Sequence, residues 1–267
     1  MALLSVNEKP PFLAENLTGV APLILVCEHA CMDIPIALND LGLSSSELTS
    51  HISWDPGAYK VAKFLSDALD APLISANYSR LVYDCNRPPF AQNAIPTESA
   101  KCVIPGNLEL TREDHFDRVQ EIYRPFEYAV RSVVDSIADR RDDLVIISIH
   151  SFTPIFLGAH RTVEVGILHD ADSRLADTML RYTVDKAVKV ARNAPYGPND
   201  GVMHTLKLHA LSRNLPNAMI EVKNDLLRTP EDVEKMGAFL KAMIKHGIAD
   251  LQTLGGEEQC LSSLFTS

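Results

Sequence analysis

The chain has 267 residues, of which 46% are hydrophobic and 22% are charged, the proportions of a globular protein that can bury a substantial core. Its net charge of −10 argues against nucleic acid as a partner, because an acidic surface repels the phosphate backbone. No apolar run approaches the roughly 18 residues of a membrane-spanning helix, and the N-terminal segment lacks the basic start and apolar stretch of a signal peptide.

These properties predict a cytoplasmic protein that binds neither nucleic acid nor membrane. Five cysteines, an odd number at irregular spacings, are typical of reduced thiols in a cytosolic enzyme. We expect a single domain over residues 1–267 with a flexible C-terminal tail from about residue 255, in a monomer or small homo-oligomer.

The first half of the chain alternates apolar runs with amphipathic segments. Residues 23–26 are continuously apolar, which predicts a strand buried on both faces. A helix is predicted over 56–69, because Asp55 precedes a proline at its first position. Further strands are predicted over 72–75 and 79–83. Residues 86–110 contain four prolines and no clear period, which predicts a long irregular loop.

The second half continues the alternation. Thr111, with Asp114 three residues later, is predicted to cap a helix that reaches about residue 140 and is kinked or restarted near Pro125. The remaining predicted strands are 144–149, 162–168, 187–191 and 218–222, and the remaining helices are 172–186, 202–212 and 230–246, the last capped by Thr229. This order of elements predicts an α/β three-layer sandwich with a mixed, mostly parallel central sheet.

Polar residues gather just past the carboxyl ends of the predicted strands, where open α/β sheets bind their ligands. They are Glu28, His29, Arg80, Asp84, Asn86, Arg87, His150, Ser151 and Glu221, with Asp55 at a predicted helix start. No glycine-rich phosphate-binding pattern follows any strand, so a nucleotide cofactor is not indicated.

Two histidines and a carboxylate are a standard ligand set for a catalytic zinc ion, whose fourth position stays open for water. His29, Asp55 and His150 could supply that set, and we predict one divalent metal ion, zinc, as the cofactor. A carboxylate outside the set, such as Glu221, could take a proton from the water and pass it to a leaving amine. One arginine could stabilise the tetrahedral oxyanion, and a second could bind a substrate carboxylate.

Each of these residues also has a structural explanation. A histidine at a strand end is often a hydrogen-bonded structural residue, and Asp55 before Pro56 is by default a helix cap. Glu221 is the stronger signal, because it interrupts an apolar segment and a carboxylate in a buried strand is costly unless it is paired or used. A structural ion pair is the alternative for Glu221. His204, on a predicted helix, could line the pocket.

Five segments in the same order resemble the N-formylglutamate amidohydrolase family, in particular the branch of predicted N-formylglutamate amidohydrolases. The segments are VCEHA at 26–30, SWDPGA at 53–58, YSRLVYDCNRP at 78–88, SIHSFTP at 148–154 and IEVKND at 220–225. The resemblance implies a phosphorylase/hydrolase-like α/β fold, shared with zinc carboxypeptidases and aspartoacylase-type deacylases, and a divalent metal, usually zinc.

The resemblance also implies roles for particular residues. The related enzymes take two metal ligands from a His-x-x-Glu segment, whereas the third residue after His29 is Met32. Asp55 is the replacement that the resemblance favours as the second ligand, Glu28 is the alternative, and His150 is the final metal histidine.

Asn86 and Arg87 resemble the substrate-binding pair of the related enzymes. Glu221 resembles their general base, and Arg80 would contact the oxyanion or a carboxylate. Ser151 and His204 are further candidates for contacting the substrate.

The leading hypothesis is metal-dependent hydrolysis of a linear amide that removes a formyl or acyl group from an N-acyl amino acid such as N-formyl-L-glutamate. One alternative is a zinc carboxypeptidase-type peptidase that acts on short peptides at the same site. Another is a small-molecule binding protein that has kept the pocket and lost the chemistry.

Overall fold

The computed structural model describes residues 2–183 and 187–264, with side chains as far as residue 254. The strands are β1 Phe12–Glu15, β2 Leu23–Cys27, β3 Leu73–Ala76, β4 Glu98–Ser99, β5 Cys102–Val103, β6 Val145–Phe152, β7 Ile155–Phe156, β8 Ala159–His160, β9 Val165–Leu168, β10 Val190–Arg192 and β11 Asn217–Lys223. The helices are α1 Ser45–Leu48, α2 Ala58–Leu69, α3 Arg112–Arg118, α4 Arg124–Ala138, α5 Arg174–Tyr182, α6 His204–His209 and α7 Pro230–Leu264.

Seven of the strands form one mixed sheet in the order β1-β3-β2-β6-β11-β9-β10. The four inner strands β3, β2, β6 and β11 are parallel, whereas β1 pairs antiparallel with β3 and β9 pairs antiparallel with β11. β4 with β5, and β7 with β8, form two separate hairpins. The carboxyl ends of four neighbouring strands therefore meet at one edge of the sheet.

Helices cover both faces of this sheet, because its inner strands are apolar on both sides. On one face, Ile24 and Ile146 belong to a core with Phe126 of α4 and Leu206 of α6. On the other face, the core joins the strands to α2, α5 and α7. The predicted three-layer α/β sandwich with a mixed, mostly parallel sheet is confirmed. No helix among the described residues is both long enough and apolar enough to cross a membrane.

The strand predicted over 79–83 is wrong, because this segment forms a turn. Val82 donates its backbone N–H to the carbonyl of Ser79 at 2.9 Å, and Ser79 donates to the carbonyl of Asp33 at 2.8 Å. Leu81 and Val82 are fully buried in the core without any strand partner. Their burial explains the strand-like apolar pattern, and the turn directs the polar residues that follow towards the edge of the sheet.

The helix predicted over 56–69 begins two residues later, at Ala58, and the predicted cap at Asp55 is absent. Gly57 precedes the helix with φ at 84°, a left-handed conformation that favours glycine. A Cβ atom on Gly57 would also lie 2.5 Å from Cβ of Leu227. The Asp55 carboxylate makes no cap bond to this helix and points elsewhere.

The other predicted helices differ mainly at their boundaries. Thr111 and Asp114 form the predicted capping box, and the interruption near Pro125 is a turn of π-helix over Val119–Tyr123. Asp232 donates its backbone N–H to the Thr229 hydroxyl, as predicted for the cap of α7. That helix continues to Leu264, beyond the predicted end at 246. The predicted tail flexibility concerns residues that lie largely outside the described side chains and stays a prediction.

Candidate metal centre and active-site cavity

The candidate site lies at the edge where the inner parallel strands end. Glu28 and His29 follow β2 directly, His150 lies on β6, and Glu221 lies on β11. Glu221 and His150 are paired in the register of the two strands. The loop before α2 adds Asp55, so residues far apart in sequence meet at one place.

His29, Asp55 and His150 form a buried cluster whose potential ligand atoms lie within 4.8 Å of one another. Oδ2 of Asp55 lies 3.3 Å from Nδ1 of His29 and 2.9 Å from Nδ1 of His150. The side chains of the three residues are at most 6% exposed. The predicted set of two histidines and one carboxylate is therefore assembled in space.

A second carboxylate lies behind each histidine. Oδ1 of Asp84 lies 2.7 Å from Nε2 of His29, and Oε2 of Glu28 lies 3.1 Å from Nε2 of His150. The Ser148 hydroxyl donates to the same Glu28 oxygen at 2.7 Å. Glu28 thus contacts the far side of the His150 ring, whereas Asp55 faces the near side of both rings. The geometry favours Asp55 over Glu28 as the second ligand.

The donor set fits a metal cation. An ionised carboxylate only accepts hydrogen bonds, so Asp84 places a proton on Nε2 of His29. Because the Ser148 hydroxyl donates to Glu28, it accepts from Nε2 of His150 at 2.8 Å and places a proton there too. The two Nδ1 atoms and the Asp55 carboxylate then converge as three acceptors, which requires either further protons or a cation between them. Histidine nitrogens and a carboxylate oxygen are ligands that zinc accepts, and a carboxylate that orients each histidine is usual around such ions.

When no ion is bound, protons occupy the position between the two Nδ1 atoms and the Asp55 carboxylate. Burial by itself would lower the pKa of His150, but the Glu28 and Asp55 carboxylates raise it well above its usual range. Burial would raise the pKa of Asp55, but the charges of His29 and His150 hold it well below the usual range. The two carboxylates therefore favour the positively charged form of His150 when no metal is bound.

Glu221 lies beside this cluster without a polar partner. It is 5% exposed, and among the described residues no hydrogen bond reaches its Oε2 atom and no ion pair involves it. The alternative of a structural ion pair is therefore not supported. Burial raises the pKa of Glu221 to about 7, an effect to which the Asp55 charge adds and which the His150 charge opposes. A carboxyl group with such a pKa can take up and release a proton near neutral pH.

The two predicted arginines differ in how far their charges are already neutralised. Arg80 donates to Oδ1 of Asp55 at 3.4 Å and to Oδ2 of Asp84 at 3.0 Å. Arg87 donates through Nη1 to the carbonyls of Asn86 and Gly201, while its buried Nε atom makes no hydrogen bond among the described residues and lies 4.0 Å from Oδ2 of Asp84; its Nη2 atom makes no hydrogen bond either. Arg87 thus keeps a donor for an anionic ligand.

A cavity of about 260 Å³ opens onto these groups. Its wall is formed by His29, Asp55, Arg80, Asn86, Arg87, His150, Ser151, Tyr196, Asp200, Val202, Met219 and Glu221. All but four of these were candidates from the sequence. Tyr196, Asp200, Val202 and Met219 were not, since no polar pattern at a strand end marked them.

Three of the predicted substrate-binding residues are engaged in contacts with the protein itself. The Asn86 side chain donates to the Val202 carbonyl and accepts from the Thr205 backbone N–H. The Ser151 hydroxyl donates to the Pro56 carbonyl at 2.9 Å. His204 does not belong to the cavity wall, because its Nε2 atom is hydrogen-bonded to the Tyr123 hydroxyl at 2.8 Å.

Comparison with known proteins shows the family and the fold of the chain. Residues 21–228 match the family model described as N-formylglutamate amidohydrolase. The crystal structure of gene product Atu2144 from Agrobacterium tumefaciens superposes with a TM-score of 0.92 at 42% identity, over 94% of this chain and 99% of that one. An N-formylglutamate amidohydrolase from Ralstonia eutropha JMP134 shares the fold, with a TM-score of 0.67 at 16% identity over 92% of this chain and 99% of that one. No protein with a curated description matches.

Proposed function

The chain belongs to the N-formylglutamate amidohydrolase family, and we propose that it removes a formyl or acyl group from an N-acyl amino acid by metal-dependent hydrolysis of the linear amide bond. N-formyl-L-glutamate is the leading substrate, on the description of the family. The observation that carries the proposal is the buried His29, Asp55 and His150 cluster beside Glu221, a carboxylate without a partner among the described residues.

His29, Asp55 and His150 would hold the metal ion through two imidazole nitrogens and one carboxylate oxygen. When bound, a divalent ion such as zinc polarises a carbonyl group and lowers the pKa of a water molecule. Asp84 and Glu28 orient the two rings from behind, so that the Nδ1 atoms face Asp55.

Glu221 serves as the general base and then as the general acid. Its carboxylate takes a proton from the attacking water and delivers that proton to the leaving amine nitrogen. Because burial raises its pKa to about 7, the group accepts the proton readily and also gives it up near neutral pH. Such a carboxylate would be costly in a buried strand if nothing used it.

Arginines supply the positive charge that the substrate and the tetrahedral oxyanion need. Arg80 lines the cavity and has five N–H groups, of which the contacts with Asp55 and Asp84 use two. We assign its remaining N–H groups to the oxyanion. Arg87, whose Nη2 atom makes no hydrogen bond among the described residues, is assigned to the substrate α-carboxylate.

The small cavity favours an amino-acid derivative over a longer peptide. Pockets for drug-sized ligands measure about 300–1,000 Å³, and this one measures about 260 Å³. A peptidase needs room for residues on both sides of the scissile bond. A cavity of about 260 Å³ leaves less space for such residues than for a single amino-acid derivative.

The test is turnover by protein loaded with zinc and by the same protein after chelation. We expect hydrolysis of N-formyl-L-glutamate by the loaded protein, loss of activity after chelation, and recovery when zinc is restored. A short peptide should be cleaved poorly under the same conditions. The proposal fails if loaded protein turns over no N-acyl amino acid, or if it prefers the peptide.

A further inference from the structure

Arg161 is a cation that lies next to Tyr196 of the cavity wall, and no motif in the sequence singled it out. It follows the β7–β8 hairpin, and its guanidinium carbon lies 5.5 Å from the ring centre of Phe152 and 4.8 Å from those of Phe156 and Tyr196. Three rings around a guanidinium hold its plane in one orientation, through contacts of the cation–π type. Arg161 is therefore positioned by its neighbours before any ligand arrives.

The charge of Arg161 is not neutralised by the protein. Its Nη1 atom donates to the Thr153 carbonyl at 3.3 Å and to the Tyr196 hydroxyl at 3.0 Å. Among the residues with described side chains, no carboxylate lies within 4.0 Å of it, in contrast to Arg80 with its two acidic partners. Neither acceptor of Arg161 is an anion, and three of its five N–H groups make no hydrogen bond to any residue that the structure describes.

Contacts connect Arg161 to the catalytic cavity. Tyr196, which accepts its hydrogen bond at 3.0 Å, belongs to the cavity wall.

We propose that Arg161 is the specificity-determining residue that binds the side-chain carboxylate of an acidic N-acyl amino acid, while Arg87 holds the α-carboxylate. This inference rests on the proposed function and adds the residue that selects a substrate with a second carboxylate. A planar guanidinium fixed by aromatic rings and lacking a counterion matches a carboxylate through two parallel N–H groups.

The experiment compares two substrates that differ only at the side chain, N-formyl-L-glutamate and N-formyl-L-glutamine, in the parent and in Arg161→Met. Methionine keeps much of the contact with the rings but removes the charge and the donors. We expect kcat/KM for formylglutamate to fall about 10- to 100-fold, mostly through KM, as for a lost charge-assisted contact. The value for formylglutamine should stay as in the parent, and Arg161→Lys should restore part of the loss.

Arg192→Met is the matched control, because Arg192 pairs with Asp177 away from the cavity wall. It should leave both substrates unaffected. An equal loss on the two substrates in Arg161→Met would show that Arg161 only supports the hairpin, and no loss on either would remove it from substrate binding. Both results overturn the inference while leaving the hydrolase intact.

If no formyl amino acid is turned over, the proposed function is contradicted. Binding measurements then still test the role of Arg161. Glutarate and its monoamide, glutaramate, would be titrated into zinc-loaded parent and Arg161→Met by calorimetry. We expect the parent to prefer glutarate and the variant to lose that preference. Equal preference in the two proteins would overturn the assignment of Arg161.

Discussion

Glu221 lies directly opposite His150 in the parallel pairing of β11 with β6, and both side chains line the same cavity. Successive residues of a strand point to opposite sides of the sheet, so a slip of one residue would turn Glu221 away. The proposed base and the proposed metal-binding histidine are thus held together by backbone hydrogen bonds rather than by a contact between their side chains.

The substitution Glu221→Gln should abolish most of the hydrolysis without affecting the metal site. Glutamine keeps the shape of the side chain but cannot take a proton from water, so we expect kcat to fall by about 100- to 10,000-fold. Steady-state turnover of N-formyl-L-glutamate checks this, together with the zinc content of the same preparation. Unchanged turnover of every N-acyl amino acid tested would exclude Glu221 as the base.

The substitution His150→Ala should remove the metal. Protein purified without chelators is expected to contain about one equivalent of zinc, as usual for a site of this kind, and the variant little. Elemental analysis of the two proteins measures this, with His115→Ala, on α3 and outside the cluster, as the control that retains its metal. Absence of metal from both parent and variant, even after addition of zinc, would contradict the proposed centre.

The substitution Glu28→Gln should weaken metal binding although Glu28 is not a ligand in this geometry. The Glu28 carboxylate lies 3.1 Å from the far nitrogen of His150 and accepts from the Ser148 hydroxyl, which lies 2.8 Å from the same nitrogen, and so it orients the ring. Loss of such an orienting carboxylate is expected to reduce zinc affinity by about 10- to 100-fold. Competition with a chelator of known affinity measures the change. Loss of zinc as complete as in His150→Ala would instead indicate that Glu28 is itself a ligand.

His209 should make the protein less stable in mild acid. It is 2% exposed, and burial together with the charge of Arg213 lowers its pKa to about 4, against about 6.5 in an unfolded chain. Between these two pH values His209 binds a proton in the unfolded chain but not in the folded protein. The free energy of unfolding therefore falls as pH decreases from 6.5 to 4. The full effect is about 3 kcal/mol.

Urea unfolding of the parent and of His209→Phe, from pH 7.5 down to the acid limit of solubility, would measure this term. The free energy of unfolding of the parent should fall more steeply with decreasing pH than that of the variant. The control variant His115→Ala should follow the parent. Parallel pH profiles for the parent and His209→Phe would show that His209 does not contribute.

The sequence predicts the inner strands of the sheet and most of the wall of the candidate cavity. Residues 23–26, 144–149 and 218–222 are short apolar runs whose burial on both faces follows from their composition alone. Polar residues directly after such runs, and Glu221 within one, must meet at one edge once the strands are parallel. Residues 79–83 have a similar apolar pattern but form a turn. Burial in a turn requires the same apolar side chains as burial in a strand, so the pattern cannot separate the two.

By itself, the sequence determined the layered α/β architecture and the family, because both follow from patterns within short segments of the chain. The tertiary structure alone decided that Asp55 rather than Glu28 faces the two Nδ1 atoms. Both carboxylates contact the ring of His150, and they differ only in which ring nitrogen they contact. It also decided that Arg161 meets Tyr196 from 35 residues away. Such partners depend on how distant loops pack over the sheet edge, and local periodicity contains no information about that packing.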